Sequence, residues 1–254
     1  MQNDKYLLSS LSHALDILDL LNDYEELSLA QILKHMNVSK AAAFRLLYTL
    51  EHKNYVVKSQ SGKYSLNIKF ARFGARLLEH QSLLMIAKPY LEHLRNTFNE
   101  TAHLSILSSD NRCVIIHKET GSQPMQMSSA IGAAMDIFCS ATGKIITAHL
   151  DEDLINRKLN ETQFVKYTEN TKTNIEAVKK DYRKALECGY AADLEERDIG
   201  LVCYACPIFD INKKCVGAVS LSGKANHMLT NKEAIIVSLK EATNNISAKL
   251  GYKI

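Results

Sequence analysis

The sequence predicts an α+β protein of two domains, a small N-terminal domain of helices and a hairpin and a larger C-terminal domain built on an antiparallel sheet. Between residues 8 and 52, apolar side chains recur every three or four positions, which is the period of amphipathic helices. Two short alternating segments around a glycine-containing turn follow and predict the hairpin. From residue 101 onward, alternating and helical segments are interleaved, as in a sheet with helices packed on it.

The composition is that of a folded protein. A chain of 254 residues suffices for one large domain or two ordinary ones, and 46% hydrophobic with 23% charged residues excludes wholesale disorder. We find no run of 18 apolar residues and no signal-peptide pattern, so we expect no transmembrane helix and a cytoplasmic protein. Six cysteines without a secretory signal are expected to be free thiols.

Serines mark where the second and third helices begin. The first helix is expected to end at Asn22-Asp23, and Ser28 and Ser39 occupy N-cap positions of the next two helices. The apolar faces are expected to comprise Leu8, Leu11, Leu15, Leu18 and Leu21 in the first helix, Leu29, Ile32, Leu33 and Met36 in the second, and Ala43, Leu46, Leu47 and Leu50 in the third.

The opposite face of the third helix is suited to reading bases in the major groove of DNA. It presents Ala41, Arg45, Tyr48 and His52, flanked by Lys40, Phe44 and Thr49. One guanidinium among small and aromatic side chains is typical of a recognition helix, whereas a structural helix more often carries Glu–Lys pairs. The hairpin places Lys58 and Lys63 where the wing of a winged helix-turn-helix domain contacts phosphates.

The charge distribution supports this interpretation. Residues 1–33 carry one base against six acids, a net of −5, and residues 34–63 carry six bases against one acid, a net of +5. Taken alone, such a run favours an ordinary solvated face. Combined with the helix pattern, it favours a surface that meets a polyanion on one side.

These motifs resemble the N-terminal domain of the IclR (isocitrate lyase regulator) family. The landmarks are ALDIL in the first helix, RLL and the Leu-Glu exit in the third, and G-x-Y-x-L after the wing. The family's usual Ser-Thr pair is Ala41-Ala42 here, so the operator sequence should differ from that of typical members. We expect the DNA-binding residues to be Ser39, Lys40, Ala41, Phe44, Arg45, Tyr48, Lys58 and Lys63.

A leucine-rich helical segment separates the two domains. We expect a linker helix from Phe70 to Gln81 and a second helix starting near Pro89, because proline is tolerated in a first helical turn. The linker either rests on its own core or, as the resemblance implies, contributes to a dimer contact. The expected organisation is a DNA-binding domain at 1–67, the linker helix at 68–81 and a second domain at 82–254.

The second domain is expected to hold one antiparallel sheet with helices packed on it. Three stretches, IGAAMDIFCSATGKIITAHL, GYAADLEERDIGLVCYACPIFD and VGAVSLSG, resemble the signatures of the family's effector-binding domain, which implies a GAF-like fold. The predicted strands are Ala102–Leu107, Cys113–His117, Met125–Ser128, Tyr190–Leu194, Gly200–Phe209 and Val216–Leu221, and the predicted helices are Ala141–Leu150, Asn174–Cys188 and Asn231–Leu250, with a short turn at 151–157.

Motifs for catalysis or cofactors are incomplete. A phosphate loop around Gly143-Lys144 would need glycine at Phe138 and a hydroxyl residue at Ile145. Cys203 and Cys206 point to opposite sides of a strand, so one is expected in a pocket and the other in the core. The adjacent Glu195-Glu196 suggests a charged strand-to-turn connection. We therefore expect no enzyme, metal or cofactor.

A binding pocket is the better interpretation. The helix that begins after Ser140 offers amide groups to an anion, and Ser220 and Ser222 share one side of a strand, although in isolation that pattern favours a solvated face. The resemblance implies an effector site for a small acid carrying a hydroxyl, aldehyde or keto group. The residues it implies are Met127, Met135, Ala141, Thr142, Asp193, Cys203, Ser220 and Ser222.

The sequence thus predicts a DNA-binding transcriptional regulator controlled by a small organic acid. We expect a repressor, with activation as the alternative that the sequence leaves open. We expect it to bind a double-stranded DNA operator as a homodimer or a tetramer of two dimers. Two alternatives remain at this point. An enzyme could use the first domain only to oligomerise, and an architectural DNA-binding protein would need no ligand, although the size of the second domain argues against the latter.

Overall fold

The computed structural model describes residues 6–79, 82–122 and 130–253. Contacts divide the chain into two compact units, Met1–His80 and Gln81–Ile254. No helix in the described ranges combines the length and apolarity needed to cross a bilayer.

The N-terminal unit has the predicted winged helix-turn-helix architecture. Ser28 accepts a hydrogen bond from the Gln31 amide in a capping box, and Ser39 accepts one from the Ala42 amide at 3.2 Å, as expected of N-caps. Gly62 has a φ of +80° in the wing turn, a conformation that favours glycine. In chain order the elements are α1 Ser9–Asp23, β1 Leu27–Ser28, α2 Leu29–His35, α3 Lys40–His52, β2 Val56–Lys58, β3 Lys63–Leu66 and α4 Lys69–Glu79, and the strands form an antiparallel sheet of order β1-β3-β2.

The buried face of α1 differs from the prediction. Ile17 and Leu21 are buried, but Leu8, Leu11 and Leu15 are each more than half exposed. The face packed on α3 is rotated toward Ile17. Since leucine and isoleucine occur on both sides of this helix, periodicity alone did not identify the buried side.

The prediction that a helix begins near Pro89 is wrong. The helix α5 spans Ser82–Phe98 and contains Pro89 in its interior instead of beginning there. Leu83, Ala87 and Leu91 continue a buried stripe across the proline. Pro89 and Met85 are exposed, so water can satisfy the carbonyl that the proline leaves without a partner.

The C-terminal unit contains one six-stranded antiparallel sheet, as predicted. Its strand order is β6-β5-β4-β9-β8-β7, so β6 and β7 are edge strands. After α5 the elements are β4 Thr101–Leu107, β5 Arg112–Glu119, β6 Ala134–Asp136, α6 Ala141–Ala148, α7 Glu152–Glu161, α8 Ile175–Cys188, β7 Ala191–Leu194, β8 Leu201–Phe209, β9 Cys215–Lys224, α9 Ala225–Thr230 and α10 Lys232–Lys249.

Two sequence predictions in this unit need correction or fall outside the structure. The turn expected at 151–157 is instead the helix α7, in which Glu152 and Asp153 occupy the favourable first turn and Leu159 is fully buried. The predicted strand Met125–Ser128 lies outside the described residues. The short elements β6 and α9 were not predicted.

The helix α6 is the central element of this unit. All eight of its residues are buried, and it packs on β7, β8 and β9 beside α8. A Cβ at Gly143 would lie 2.6 Å from both the Asp136 carbonyl oxygen and Ser140 Oγ. Glycine is therefore required for the close approach of this helix to the chain before it, which explains the residue without a phosphate loop.

Candidate DNA-binding surface and ligand pocket

The outer face of α3 is exposed and rich in aromatic side chains. Phe44 and Tyr48 are 50% and 61% exposed, although burying them would be favourable. Their rings stack at 6.5 Å, and Tyr48 stacks on His52 at 6.3 Å. Ser39, Lys40 and Ala41, at the start of the helix, are also exposed. The N-terminal half of α3 is thus free to enter a groove.

Arg45 lies at the side of this face. It is exposed and lines a groove of about 550 Å³ between α1 and α3, together with Leu11, Ala14 and Thr49. Thr49 Oγ1 donates to the Arg45 carbonyl at 2.8 Å, so this bond involves the backbone of Arg45 and not its guanidinium. The N–H donors of the Arg45 guanidinium lie beside the exposed rings of Phe44 and Tyr48.

The two lysines of the wing differ in their surroundings. Lys58 is exposed, with its Nζ 5.4 Å from the centre of the Tyr64 ring. Lys63 Nζ forms an ion pair with Glu26 Oε1 at 2.5 Å. Lys58 therefore offers an uncompensated charge to a phosphate. Lys63 would either break its ion pair with Glu26 or offer the phosphate a charge that Glu26 partly compensates.

The predicted pocket residues converge on a small cavity under the N-terminus of α6. Of the eight proposed effector residues, Met135, Ala141, Thr142, Asp193, Cys203 and Ser220 line it. Ser222 is buried on the same side of β9, opposite Cys203, and its Oγ has no hydrogen-bond partner among the described residues. Met127 lies outside the described residues.

Four further lining residues were not singled out as site residues from sequence. They are His103, Ser105, Ile115 and Ser140. His103 and Ser105 alternate on β4, and His103 pairs directly with Ser220 of the neighbouring strand. Alternation places these two on one side of β4, as it places Ser220 and Ser222 on one side of β9, but for Ser220 and Ser222 it was the family resemblance that indicated a pocket.

The side chains around this cavity nearly fill it. Its volume is about 20 Å³, room for about one water molecule. A metabolite therefore fits only if the surrounding side chains move apart.

Asp193 is the central ionisable group of the pocket. It is buried, and its Oδ1 accepts hydrogen bonds from the backbone N–H of Glu196 at 2.8 Å and of Arg197 at 3.4 Å. Burial raises its pKa to about 7, although the two amides oppose the shift. Near neutral pH this carboxyl group can both donate and accept hydrogen bonds.

The other titratable groups of the pocket are neutral. Burial lowers the pKa of His103 to about 3, with Lys118 contributing, so its imidazole is uncharged at neutral pH. Burial raises the pKa of Cys113 and Cys203 to about 12, so both remain thiols. This environment suits hydrogen bonding rather than nucleophilic attack.

The motifs that suggested other chemistry have structural roles. Cys203 lines the pocket and Cys206 is fully buried, as expected from strand geometry. Within the described ranges, no cluster of three or more potential metal ligands occurs. Glu196, expected in a charged turn, is buried and pairs with Lys144 of α6.

Comparison with known families decides the identity of both units. A family model described as the IclR helix-turn-helix domain matches residues 10–60, and one described as the bacterial transcriptional regulator IclR C-terminal domain matches residues 75–248. The chain belongs to the IclR family. It is therefore a DNA-binding transcriptional regulator.

Individual IclR-family members align over nearly the whole chain. The regulator KdgR of Escherichia coli is 30% identical over 247 residues, covering 96% of this chain and 94% of KdgR. The DNA-binding transcriptional repressor YiaJ of E. coli is 29% identical over 250 residues, covering 96% of this chain and 89% of YiaJ.

Solved structures agree with this assignment. The Thermotoga maritima IclR structure is 32% identical with a TM-score of 0.73, covering 96% of this chain and 99% of that chain. An IclR regulator from Alicyclobacillus acidocaldarius is 26% identical with a TM-score of 0.83, with the same coverage.

Proposed function

We propose that this IclR-family regulator represses transcription by binding an operator through α3 and the wing, and that a small organic acid in the pocket under α6 controls this binding. The exposed strip of Phe44, Tyr48 and Arg45 carries the proposal, because a monomeric domain gains nothing from leaving two large aromatic rings in water. The relative YiaJ is named as a repressor, which supports the direction of control.

The operator-bound form is a homodimer or a pair of dimers. One winged domain contacts too few base pairs for tight specific binding, so two recognition helices are needed, about one helical turn of DNA or a multiple of it apart. A symmetric pair reads a palindromic operator. Such a protein acts in the cytoplasm, where the bacterial chromosome lies.

The chemistry of the pocket favours a small acid with a second polar group. The first N–H groups of α6, at Ala141 and Thr142, lack partners within the helix and face a carboxylate favourably. Asp193 and the hydroxyls of Ser220 and Ser222 suit a ligand hydroxyl or keto group. Because the cavity has room for about one water molecule, ligand binding selects a state of the domain in which the cavity is larger.

The pocket is proposed to bind its ligand without turnover. His103, with its pKa lowered to about 3, is a weak base, and Cys203, with its pKa raised to about 12, is a poor nucleophile at neutral pH. The relatives described above are regulators. A screen for consumption of bound acids tests this point directly.

Replacement of Arg45 tests the DNA-binding proposal. Arg45→Ala should weaken operator binding by about 1–3 kcal/mol while leaving binding to random DNA nearly unchanged, because a guanidinium reads base edges. Lys58→Ala is the matched control: it should weaken binding to both DNAs alike and reduce the salt dependence. Fluorescence anisotropy with both DNAs at several salt concentrations measures these effects. An unchanged ratio of specific to random affinity in Arg45→Ala would contradict the assignment.

A further inference from the structure

A second, larger cavity lies along the edge strand β7, apart from the ligand pocket. Its volume is about 350 Å³, within the range of small-molecule sites. It is lined by side chains of α6, α8, β8 and α10, among them Lys144, Lys184, Tyr204 and Lys232. None of its lining residues belongs to the ligand pocket under α6.

The floor of this cavity is a compact network of buried charges. Lys144, 1% exposed, donates to Asp181 Oδ2 at 3.0 Å and to the Ala192 carbonyl at 3.1 Å, and it pairs with Glu196. Lys172 bridges the same two carboxylates at 3.1 and 3.2 Å. Although burial opposes the effect, Lys144 and Lys172 lower the pKa of Asp181. Two cations and two anions balance each other here.

Polar atoms beside this network have no partner. Glu196 Oε2 and the hydroxyl of Tyr204 are buried, and neither has a hydrogen-bond partner in the described part of the chain. Leaving such groups without a hydrogen bond is unfavourable, so buried polar atoms normally have partners. Both residues line the cavity, but the two atoms are closed to water, so a molecule inside the cavity reaches them only when neighbouring side chains shift.

The rim adds an excess of positive charge. Lys184 and Lys232 are exposed and form no ion pair with any carboxylate that the structure describes. The Nζ of Lys232 lies 5.9 Å from the centre of the Tyr190 ring, at the wall of the cavity. With the floor neutral overall, the six charged lining side chains sum to +2.

We propose that this cavity binds a small phosphorylated metabolite that also carries hydroxyl groups. The rim lysines would hold the phosphate dianion as point charges, and the described lining contains no arginine fork for a planar carboxylate. A ligand hydroxyl would donate to Glu196 Oε2 and accept from the Tyr204 hydroxyl. The two cavities share no lining residue, although Glu196 bonds to Asp193 through its backbone, and the proposal does not rest on the function proposed above.

The test is calorimetry on the full-length protein with glucose 6-phosphate, glycerol 3-phosphate, inorganic phosphate and glucose. The three phosphates should bind, the two esters more tightly than inorganic phosphate, and glucose should not. Lys184→Gln with Lys232→Gln should weaken ester binding at least about tenfold. The matched control, Lys213→Gln with Lys214→Gln in the exposed β8–β9 turn, removes the same charge and should bind as the wild type does.

Tyr204→Phe separates the hydroxyl contact from the charge. It should leave inorganic phosphate binding unchanged and reduce the advantage of glucose 6-phosphate over it. Circular dichroism confirms that each variant is folded. Binding of none of the three phosphates at millimolar concentration, or equal loss in the rim and control variants, would overturn the proposal.

Discussion

Among single residues, Asp193 is the one on which the proposed ligand binding depends most. A carboxyl group whose pKa is about 7 responds to pH in the physiological range, whereas an ordinary aspartate, with a pKa of 3.8, does not. Burial under α6 is the principal cause of the shift. Because the carboxyl group is buried in the pocket, its protonation also depends on any molecule that enters the pocket.

Asp193→Asn should change how stability depends on pH. Because the folded state raises the pKa of Asp193, the wild type is favoured by protonation, and its free energy of unfolding should fall by about 1.4 kcal/mol per pH unit as pH rises from about 4 toward 7. Asparagine keeps the acceptor for the Glu196 amide without the charge. Denaturant unfolding of both proteins at several pH values should show their stabilities diverging up to about pH 7. Parallel curves would mean that Asp193 is not perturbed.

The side chains that were predicted to line the pocket mostly do lie together. The buried ion pair beside them was not predicted. Asp193, Cys203 and Ser220 do converge, because alternation on strands determines which side chains share a side. The buried pair between Lys144 and Glu196, by contrast, joins residues 52 positions apart. No local pattern signals such a pair, since it depends on how α6 meets the chain after β7.

At the scale of elements, α6 is a helix whose position is determined by its contacts with neighbouring residues. Its sequence reads as a short apolar helix, but its position depends on Gly143 touching the Asp136 carbonyl and the cap formed by Ser140. This contact also fixes the N-terminus that faces the proposed ligand.

A matched pair of glycine substitutions tests this requirement. Gly143→Ala should destabilise the protein by about 1–3 kcal/mol, because its Cβ would overlap backbone atoms. Gly74→Ala, within α4, meets nothing within 4 Å and should stabilise by about 0.5–1 kcal/mol through helix propensity. Thermal unfolding should show shifts of opposite sign. A stable Gly143→Ala variant would show that α6 is not held by this approach.

Helix and strand positions were mostly predictable, and the exceptions have physical causes. The helix α10 and the strand β8 were predicted within one residue, because both have long uninterrupted patterns. Pro89 was misread because a proline on an exposed helix face is tolerated when the buried face continues across it. The helix α7 was not predicted because its buried residues, Lys158 and Leu159, both follow the segment 151–157.

At the scale of the whole molecule, ligand binding in the C-terminal domain is proposed to control operator binding by the N-terminal domain. The sequence was sufficient for the family and the fold, since the motifs of both domains occur in order along the chain. It could not show that side chains nearly fill the ligand pocket, because cavity volume depends on how side chains pack. Control of operator binding therefore requires that ligand-bound and ligand-free states differ in shape.

The most direct test is operator binding with and without ligand, in the wild type and in a variant carrying Ser220→Ala and Ser222→Ala. Genomic footprinting supplies the operator, and calorimetry with small hydroxy-, keto- and aromatic acids supplies the ligand. The ligand should release the wild type from its operator. The variant should bind the operator normally but need at least about tenfold more ligand for release, because it lacks two hydrogen-bonding hydroxyls. Ligand binding without any change in operator affinity, or unchanged ligand affinity in the variant, would contradict the account.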